Sequence, residues 1–281
     1  MTLREHAGVG PKSLQQLVIS FGKPQACWKA DEGEIAELPR FGAKKEEQIL
    51  EAQALLPLVG ERLGEYEARG IDLVTMFDPE YPDLLRELDS PPPYLYYSGN
   101  LDVLRGNTVA IVGSHEASAT GIAEAVRLGQ EITSTGAIVV SGLARGIDGG
   151  AHVGAIKNEG KTVAVLGCGL DEIYPPEHVE LAEQIKEHGL LVSEYRPETK
   201  VASSRLIARN RIIVGLSRSV IVVEVTEGSG GTVSAISESQ KQGKSLFTCF
   251  DINEQGAATN QLGAVRLQAE DDWKMVLKYM V

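Results

Sequence analysis

Thr108-Val109-Ala110-Ile111-Val112-Gly113-Ser114-His115 and, further along, Ala137-Ile138-Val139-Val140-Ser141-Gly142-Leu143-Ala144-Arg145-Gly146-Ile147-Asp148 decide the fold. In both stretches a short β-branched run breaks into a glycine or serine turn, and a helical pattern follows. The unit recurs. Candidate strands fall at 109–112, 137–140, 163–166, 190–193, 220–224 and 246–249, with helical stretches near 120–134, 147–159, 177–188, 205–216, 232–242 and 271–280. Continuously apolar strands that alternate with helices imply parallel strands joined by crossovers, which bury both sheet faces. The expected fold is α/β, a Rossmann-like doubly wound and mostly parallel sheet.

Upstream the pattern changes. Between Ile71 and Asn100 stand Pro79, Pro82 and Pro91-Pro92-Pro93, then Tyr94-Leu95-Tyr96-Tyr97. Proline cannot donate to a ladder, so a linking extension that ends in a short strand is expected. Residues 1–65 lack Val/Ile-rich runs and are broken by glycine and proline, which predicts a small all-helical domain ahead of an extended Rossmann-like domain over 66–281. With 281 residues and 43% hydrophobic content, the chain buries its own core without staples. No apolar run approaches the roughly 20 residues of a membrane span, and the start of the chain has no apolar secretory core, so a cytoplasmic protein is expected. Cys27, Cys168 and Cys249 are too scattered for a disulfide framework or a metal site and read as packing residues.

The formal net charge of −12 argues against a surface coated with cations for duplex DNA. Positive charge is local instead: Arg196, Lys200, Arg205, Arg209, Arg211 and Arg218 lie in one segment with a single acid, Glu198. In an open parallel sheet, ligands bind beyond the carboxyl ends of the strands. The loops there are glycine-rich: Gly113-Ser114-His115, Ser141 to Asp148, Gly167-Cys168-Gly169, and Glu227-Gly228-Ser229-Gly230-Gly231-Thr232. Glycine lets amides approach an anion and helix amino termini add their dipole, which suits phosphate. Any one such loop read alone is only a strand-to-helix turn; four beside a basic cluster favour a site. Neither G-x-G-x-x-G after the first strand nor G-x-x-x-x-G-K-[ST] occurs, which weakens dinucleotide and triphosphate readings. On a helix, Arg205 and Arg209 at i, i+4 repel unless an anion lies between them. Pairing with Glu194, Glu198 or Glu224 is the plainer alternative.

From Val109 to Phe247 the motifs resemble, in order, the Rossmann-like domain of the DprA/Smf family: Ala110-Ile111-Val112-Gly113-Ser114, Ser141 through Asp148 with Ala151-His152, Gly167 through Tyr174-Pro175, Ser193-Glu194-Tyr195, and Arg209-Asn210-Arg211-Ile212-Ile213. Upstream, Tyr81-Pro82 and Pro91-Pro92 to Gly99-Asn100 fit as well. The resemblance implies a binding protein rather than an enzyme. It implies that the chain holds and protects single-stranded DNA, passes it to the RecA recombinase in natural transformation, and forms dimers through this domain. The phosphate contacts it implies are Gly113, Ser114, Arg145, Gly146, Arg209, Asn210 and Arg211, with Gly228 and Ser229 closing the pocket; His115, Gly142, Arg205 and Gly230, from the same loops and basic segment, complete the candidate set. No cofactor is expected.

Three positions depart from the family pattern. His115 stands where an arginine is usual, no lysine accompanies Pro176, and Leu246 to Phe250 lacks the usual proline-glycine ending. Many relatives also carry a winged-helix domain beyond the point where this chain ends. At the other end, 7–12 and 38–44 resemble helix-hairpin-helix segments, and a sterile-alpha-motif-like module is the alternative. The rival functional reading is a nucleotide-cleaving enzyme of the related lysine-decarboxylase-like superfamily, but after Gly230-Gly231-Thr232 come Val233, Ser234, Ala235 and Ile236, with no carboxylate to act as base. A nucleotide-sensing module is a third. His6, His115, His152, His178 and His188 show no ligand spacing, and His152 reads as structural.

Overall fold

The computed structural model describes residues 1–226, 230–249, 264–267 and 272–278. Its sheet comprises β1 (Asp72–Thr75), β2 (Tyr94–Gly99), β3 (Thr108–Val112), β4 (Ile138–Ser141), β5 (Thr162–Val165), β6 (Leu190–Ser193), β7 (Ser219–Val222), β8 (Ser245–Thr248) and β9 (Val265–Arg266). In space the order is β1-β2-β6-β5-β4-β3-β7-β8-β9. β2 runs antiparallel to β1 and to β6, and every other neighbouring pair is parallel. The chain winds outward from β3 through β4, β5 and β6 on one side, then restarts through β7 and β8 on the other. The switch point therefore lies between β3 and β7. This is the doubly wound, mostly parallel sheet that the alternating pattern predicts.

Helices cover the sheet because its strands are apolar on both sides, with β3 to β7 buried along their whole length. The crossover helices are α6 (Ala119–Ser134), α7 (Ile147–Lys157), α8 (Val179–His188), the pair α9 (Ser203–Ala208) and α10 (Asn210–Gly215), and α11 (Gly230–Lys241), with α12 (Lys274–Leu277) last. One face packs Ala110, Val112, Val140, Val220 and Val222 on Ile212, Ile213 and Ile236. The other packs Val109, Ile111, Val139 and Ile221 on Leu128, Ile132, Ile147 and Phe247. The stretch expected as one helix near 205–216 is two, meeting at Arg209.

Ahead of the sheet stand α1 (Thr2–Glu5), α2 (Pro11–Phe21), α3 (Ala43–Ala52) and α4 (Leu56–Glu67); α5 (Asp83–Arg86) lies in the proline-rich extension. Leu3, Val9, Leu17, Cys27, Ile35 and Ile49 form a separate small core. α4 contributes nothing to that core; its Tyr66 is buried with Tyr94, Tyr96, Leu166 and Leu191, so a boundary at residue 65 falls inside this helix. The acid Glu5 fastens the two parts. Its Oε2 meets Arg196 Nη2 at 2.5 Å, and the Tyr94 hydroxyl donates to its Oε1 at 3.2 Å. Among the described residues no helix is long and apolar enough to cross a membrane.

His152 on α7 is wholly buried. The Thr162 hydroxyl donates to Val139 O (2.9 Å), so His152 Nδ1 must be the donor to Thr162 Oγ1 (2.7 Å), which leaves Nε2 bare and the ring neutral. Burial pushes its pKa down to about 3. An unfolded chain takes up that proton near pH 6.5, so the fold is favoured above this pH and loses the benefit as pH falls towards 3. Between pH 7 and pH 4 the loss is about 3 kcal/mol. In urea titrations at both pH values, His152→Gln is expected to lose less stability on acidification than the wild type; equal losses would contradict a neutral buried ring.

Candidate nucleic-acid interface

At the carboxyl ends of β3, β4 and β7 the structure opens a cleft of about 440 Å³. Of the expected residues, Gly113, His115, Gly142, Arg145, Arg209, Asn210 and Gly230 line it. It sits at the switch point, where crossover helices diverge to opposite faces and leave strand ends uncovered.

The floor is Arg209. It is 4% exposed, with Nη1 donating to the carbonyls of Gly142 and Val165, Nε donating to Leu206 O at 3.2 Å, and Nη2 at 3.5 Å from Asp148 Oδ2. The guanidinium thus joins the ends of β4 and β5 to the start of α7. A side chain at position 142 would overlap it, since a Cβ there would lie 1.9 Å from Nη1. Burial pulls Arg209 below the ordinary arginine range, with Asp148 opposing, and pushes Asp148 above the carboxylate range, with Arg209 opposing. Its partner is none of the three glutamates considered from sequence.

Around the floor the loop backbone is constrained. Leu143 is buried at φ 63° and Gly146 sits at φ 67°, where a Cβ would lie 2.4 Å from Ser114 O. A buried non-glycine residue in the left-handed region persists only where its surroundings enforce it, and such residues gather at ligand sites. The His178 ring supplies one restraint by donating from Nδ1 to Leu143 O at 2.9 Å. Gly146 and Ser114 are consequently supports rather than lining. Ser114 Oγ lies 2.6 Å from Thr226 Oγ1 and accepts the Glu116 amide at 3.0 Å.

One helix amino terminus at this edge already holds an anion from the chain itself, and the loop before a second is tied to a buried carboxylate. The Glu224 carboxylate accepts the Ser118 amide (2.8 Å) and hydroxyl (2.6 Å) at the start of α6. Asp148 lies in the first turn of α7 and accepts the Ala144 amide at 3.4 Å. At the start of α11, by contrast, Gly230, Gly231 and Thr232 face the cleft, and Asn210 Nδ2 donates to Gly231 O at 2.8 Å. On the rim, Arg145 is half-exposed, lies 5.9 Å from the Tyr174 ring centroid and is gripped by Glu177, with Nη2 3.0 Å from Oε2. The hydrogen bond from Arg145 holds the Glu177 carboxyl below its usual range. His115 is exposed, 3.9 Å from Glu116.

Arg205 and Arg211 are not brought into this cleft. Arg205 points to the far side of α9 and donates to Lys200 O at 2.6 Å. Arg211 lies in another hollow, paired with Glu194 as the plainer sequence reading had it. Of the basic segment, Arg196, Lys200, Arg209 and Arg211 each have a carboxylate partner. The cleft is therefore less positive than the sequence implies. The loop after β5 is a packing turn: Gly169 approaches Pro197 so closely that a Cβ would lie 2.0 Å from its carbonyl oxygen. Gly228 and Ser229 lie outside the described residues. Asp148, Tyr174 and Ser203 line the cleft without having been singled out.

These features define a class: a doubly wound sheet whose switch-point cleft has a buried arginine-carboxylate pair as its floor, an internal carboxylate at the start of the helix after its first parallel strand, and the glycines of α11 in its wall. Residues 72–277 match the family described as DNA recombination-mediator protein A, and the chain belongs to this DprA/Smf family. It is 40% identical to the Smf protein of Synechocystis sp. over 233 residues, 81% of this chain and 58% of that relative. With the DNA processing protein DprA of Bacillus subtilis it shares 35% identity over 227 residues, 78% of this chain and 76% of that one. The crystal structure of DprA from Streptococcus pneumoniae superposes with a TM-score of 0.80 at 28% identity, covering 100% of this chain and 96% of that one. A structure of DNA processing protein A from Helicobacter pylori, concerned with its single-stranded DNA binding mode, gives 0.66 at 28% identity over 74% and 97% of the two chains.

Asp148→Ala leaves the Arg209 guanidinium buried without its counter-charge, which costs about 3 kcal/mol. A denaturant midpoint equal to that of the wild type would show that carbonyl partners alone suffice.

Proposed function

We propose that this chain binds and protects single-stranded DNA, with strand phosphates held in the switch-point cleft by Gly230 and Gly231 of α11, Asn210, Arg145 and His115. As a DprA/Smf protein it would then pass the strand to the RecA recombinase during natural transformation, working as a homodimer through the Rossmann-like domain. The observation that carries this reading is the distribution of anion seats. A nucleotide phosphate usually sits at the helix following the first strand of such a sheet, and here Glu224 occupies that place. Gly230 and Gly231 line the same cleft as the rim arginine, which suits a phosphate held from one side as a strand passes. Asp148 is the acidic residue among the described lining, and Arg209 holds it, so the carboxylate base of the nucleotide-cleaving alternative finds no counterpart among the described lining residues.

Arg145 is spoken for by Glu177 until a phosphate displaces it. Both side chains are about half exposed, and exposed ion pairs are worth about 0–1 kcal/mol, so displacement is cheap. Fluorescence anisotropy of a labelled oligothymidine at several salt concentrations tests the assignment. Log affinity is expected to fall by about 0.7 per phosphate contact for each tenfold rise in salt. Arg145→Ala is expected to weaken binding about tenfold, as for one charge-assisted contact, and Glu177→Gln to strengthen it severalfold. Absence of binding by the wild type, or turnover of a mononucleotide, would overturn the reading.

A further inference from the structure

On the far side of α9 lies a second hollow, of about 450 Å³. Arg4 of α1 and Tyr94 of β2 form one part of its wall, Tyr195 and Arg196 after β6 another, and Arg205 of α9 a third. α9 is the partition between the two openings: Ser203, Leu206 and Ile207 line the first cleft, Arg205 the second. Neighbouring helical residues point about 100° apart, so one turn of helix serves both.

The hollow's acids are already neutralised. Glu5 is met by Arg196 at 2.5 Å and by Arg62 at 3.6 Å, and Glu194 is paired with Arg211, which stands outside the hollow. Two cations are left over. Neither Arg4 nor Arg205 has a carboxylate partner among the described residues, although the protein carries a net charge of −12. Arg205 is held in readiness by its bond to Lys200 O and by its position over the Tyr195 ring, 5.5 Å from the centroid. Of a guanidinium's five N–H groups most remain free in that arrangement. An arginine laid on a tyrosine offers both a phosphate contact and a flat surface for a base.

We propose that this hollow is a second seat for the same strand. Arg4 and Arg205 take a phosphate, and the Tyr195 and Arg205 pair supports the adjoining base. The proposal rests on the reading of the first cleft as a strand site and extends it: the helical unit at the start of the chain, through Arg4, grips the strand together with the sheet. The shared partition is what favours a strand over an isolated anion, since a polymer leaving the first cleft over α9 meets the second hollow next.

The test is a length series. Labelled oligothymidines of about four and about fifteen nucleotides span the usual range of single-strand site sizes. Each is titrated into the wild type, Arg145→Ala and the double variant Arg4→Gln/Arg205→Gln. The double variant is expected to bind the short strand like the wild type and the long strand about tenfold more weakly, with its salt slope reduced by about 1.4, the value for two phosphate contacts. A strand bearing photoreactive 5-iododeoxyuridine is expected to cross-link to Tyr195 only when long. Equal affinities of double variant and wild type at both lengths, with Arg145→Ala weakened at both, would overturn the second seat and leave the first cleft standing. Equal weakening of short and long strands by the double variant would also overturn it. Inorganic phosphate that binds the wild type but not the double variant at millimolar concentration, while leaving the affinity of both strands unchanged, would assign the hollow to a free anion and reject the strand. A wild type that binds neither strand would remove both readings together.

Discussion

Beneath the cleft, one buried guanidinium ties together pieces of chain that the sequence keeps far apart. Arg209 reaches the carbonyls at the ends of two adjacent strands and the carboxylate of a third segment, so the loop after β4, the end of β5 and the start of α7 hold one geometry. The arrangement is costly to bury and costly to break. Removing an ion from water costs several kcal/mol, and only complete pairing offsets it. Its value is positional, because the cleft's backbone amides are of use only if the loops carrying them do not wander.

The same economy of charge appears at the helix ends. Glu224 stands at the turn after the first parallel strand, where a Rossmann-like sheet ordinarily accepts a ligand's phosphate, and takes up the amide and hydroxyl of Ser118 there. Asp148 accepts the Ala144 amide in the loop before α7. The fold thereby occupies that turn with one of its own side chains. What distinguishes this cleft from a nucleotide pocket is which seats are filled rather than the topology, which both share.

The sheet was legible because its parallel strands are buried on both sides, and β-branched runs such as 109–112 and 190–193 have no other comfortable home. The short β1 was not legible. Asp72-Leu73-Val74-Thr75 lies in a proline-rich stretch and becomes a strand only by pairing with β2, a contact local patterning cannot signal. Within the site, the glycine loops after β3 and β4 were visible for the reason that makes them useful: they carry no side chain at a turn. The arginines were harder to read. Arg205, Arg209 and Arg211 stand close in sequence, yet each turns to a different partner: the nearby carbonyl of Lys200, and the carboxylates of Asp148 and Glu194. For Arg209 and Arg211, side-chain direction was decided by where carboxylates arrive in three dimensions. Motif spacing therefore pointed to the loops that line the cleft and missed that Arg205 and Arg211 turn away from it.

Glu5 carries a consequence for how the molecule moves. It is 6% exposed, set between two arginines and beneath two tyrosine hydroxyls, and it is contributed by the helical unit to the sheet domain. Swinging that unit away would uncover the Tyr94 and Tyr96 rings and strip Arg196 of its counter-charge in one step. The break between helices and sheet that composition marks near residue 65 is consequently a boundary of pattern and not a hinge. A displacement of the first helix is therefore felt at once by β2 and by the segment after β6, because Glu5 bonds to both.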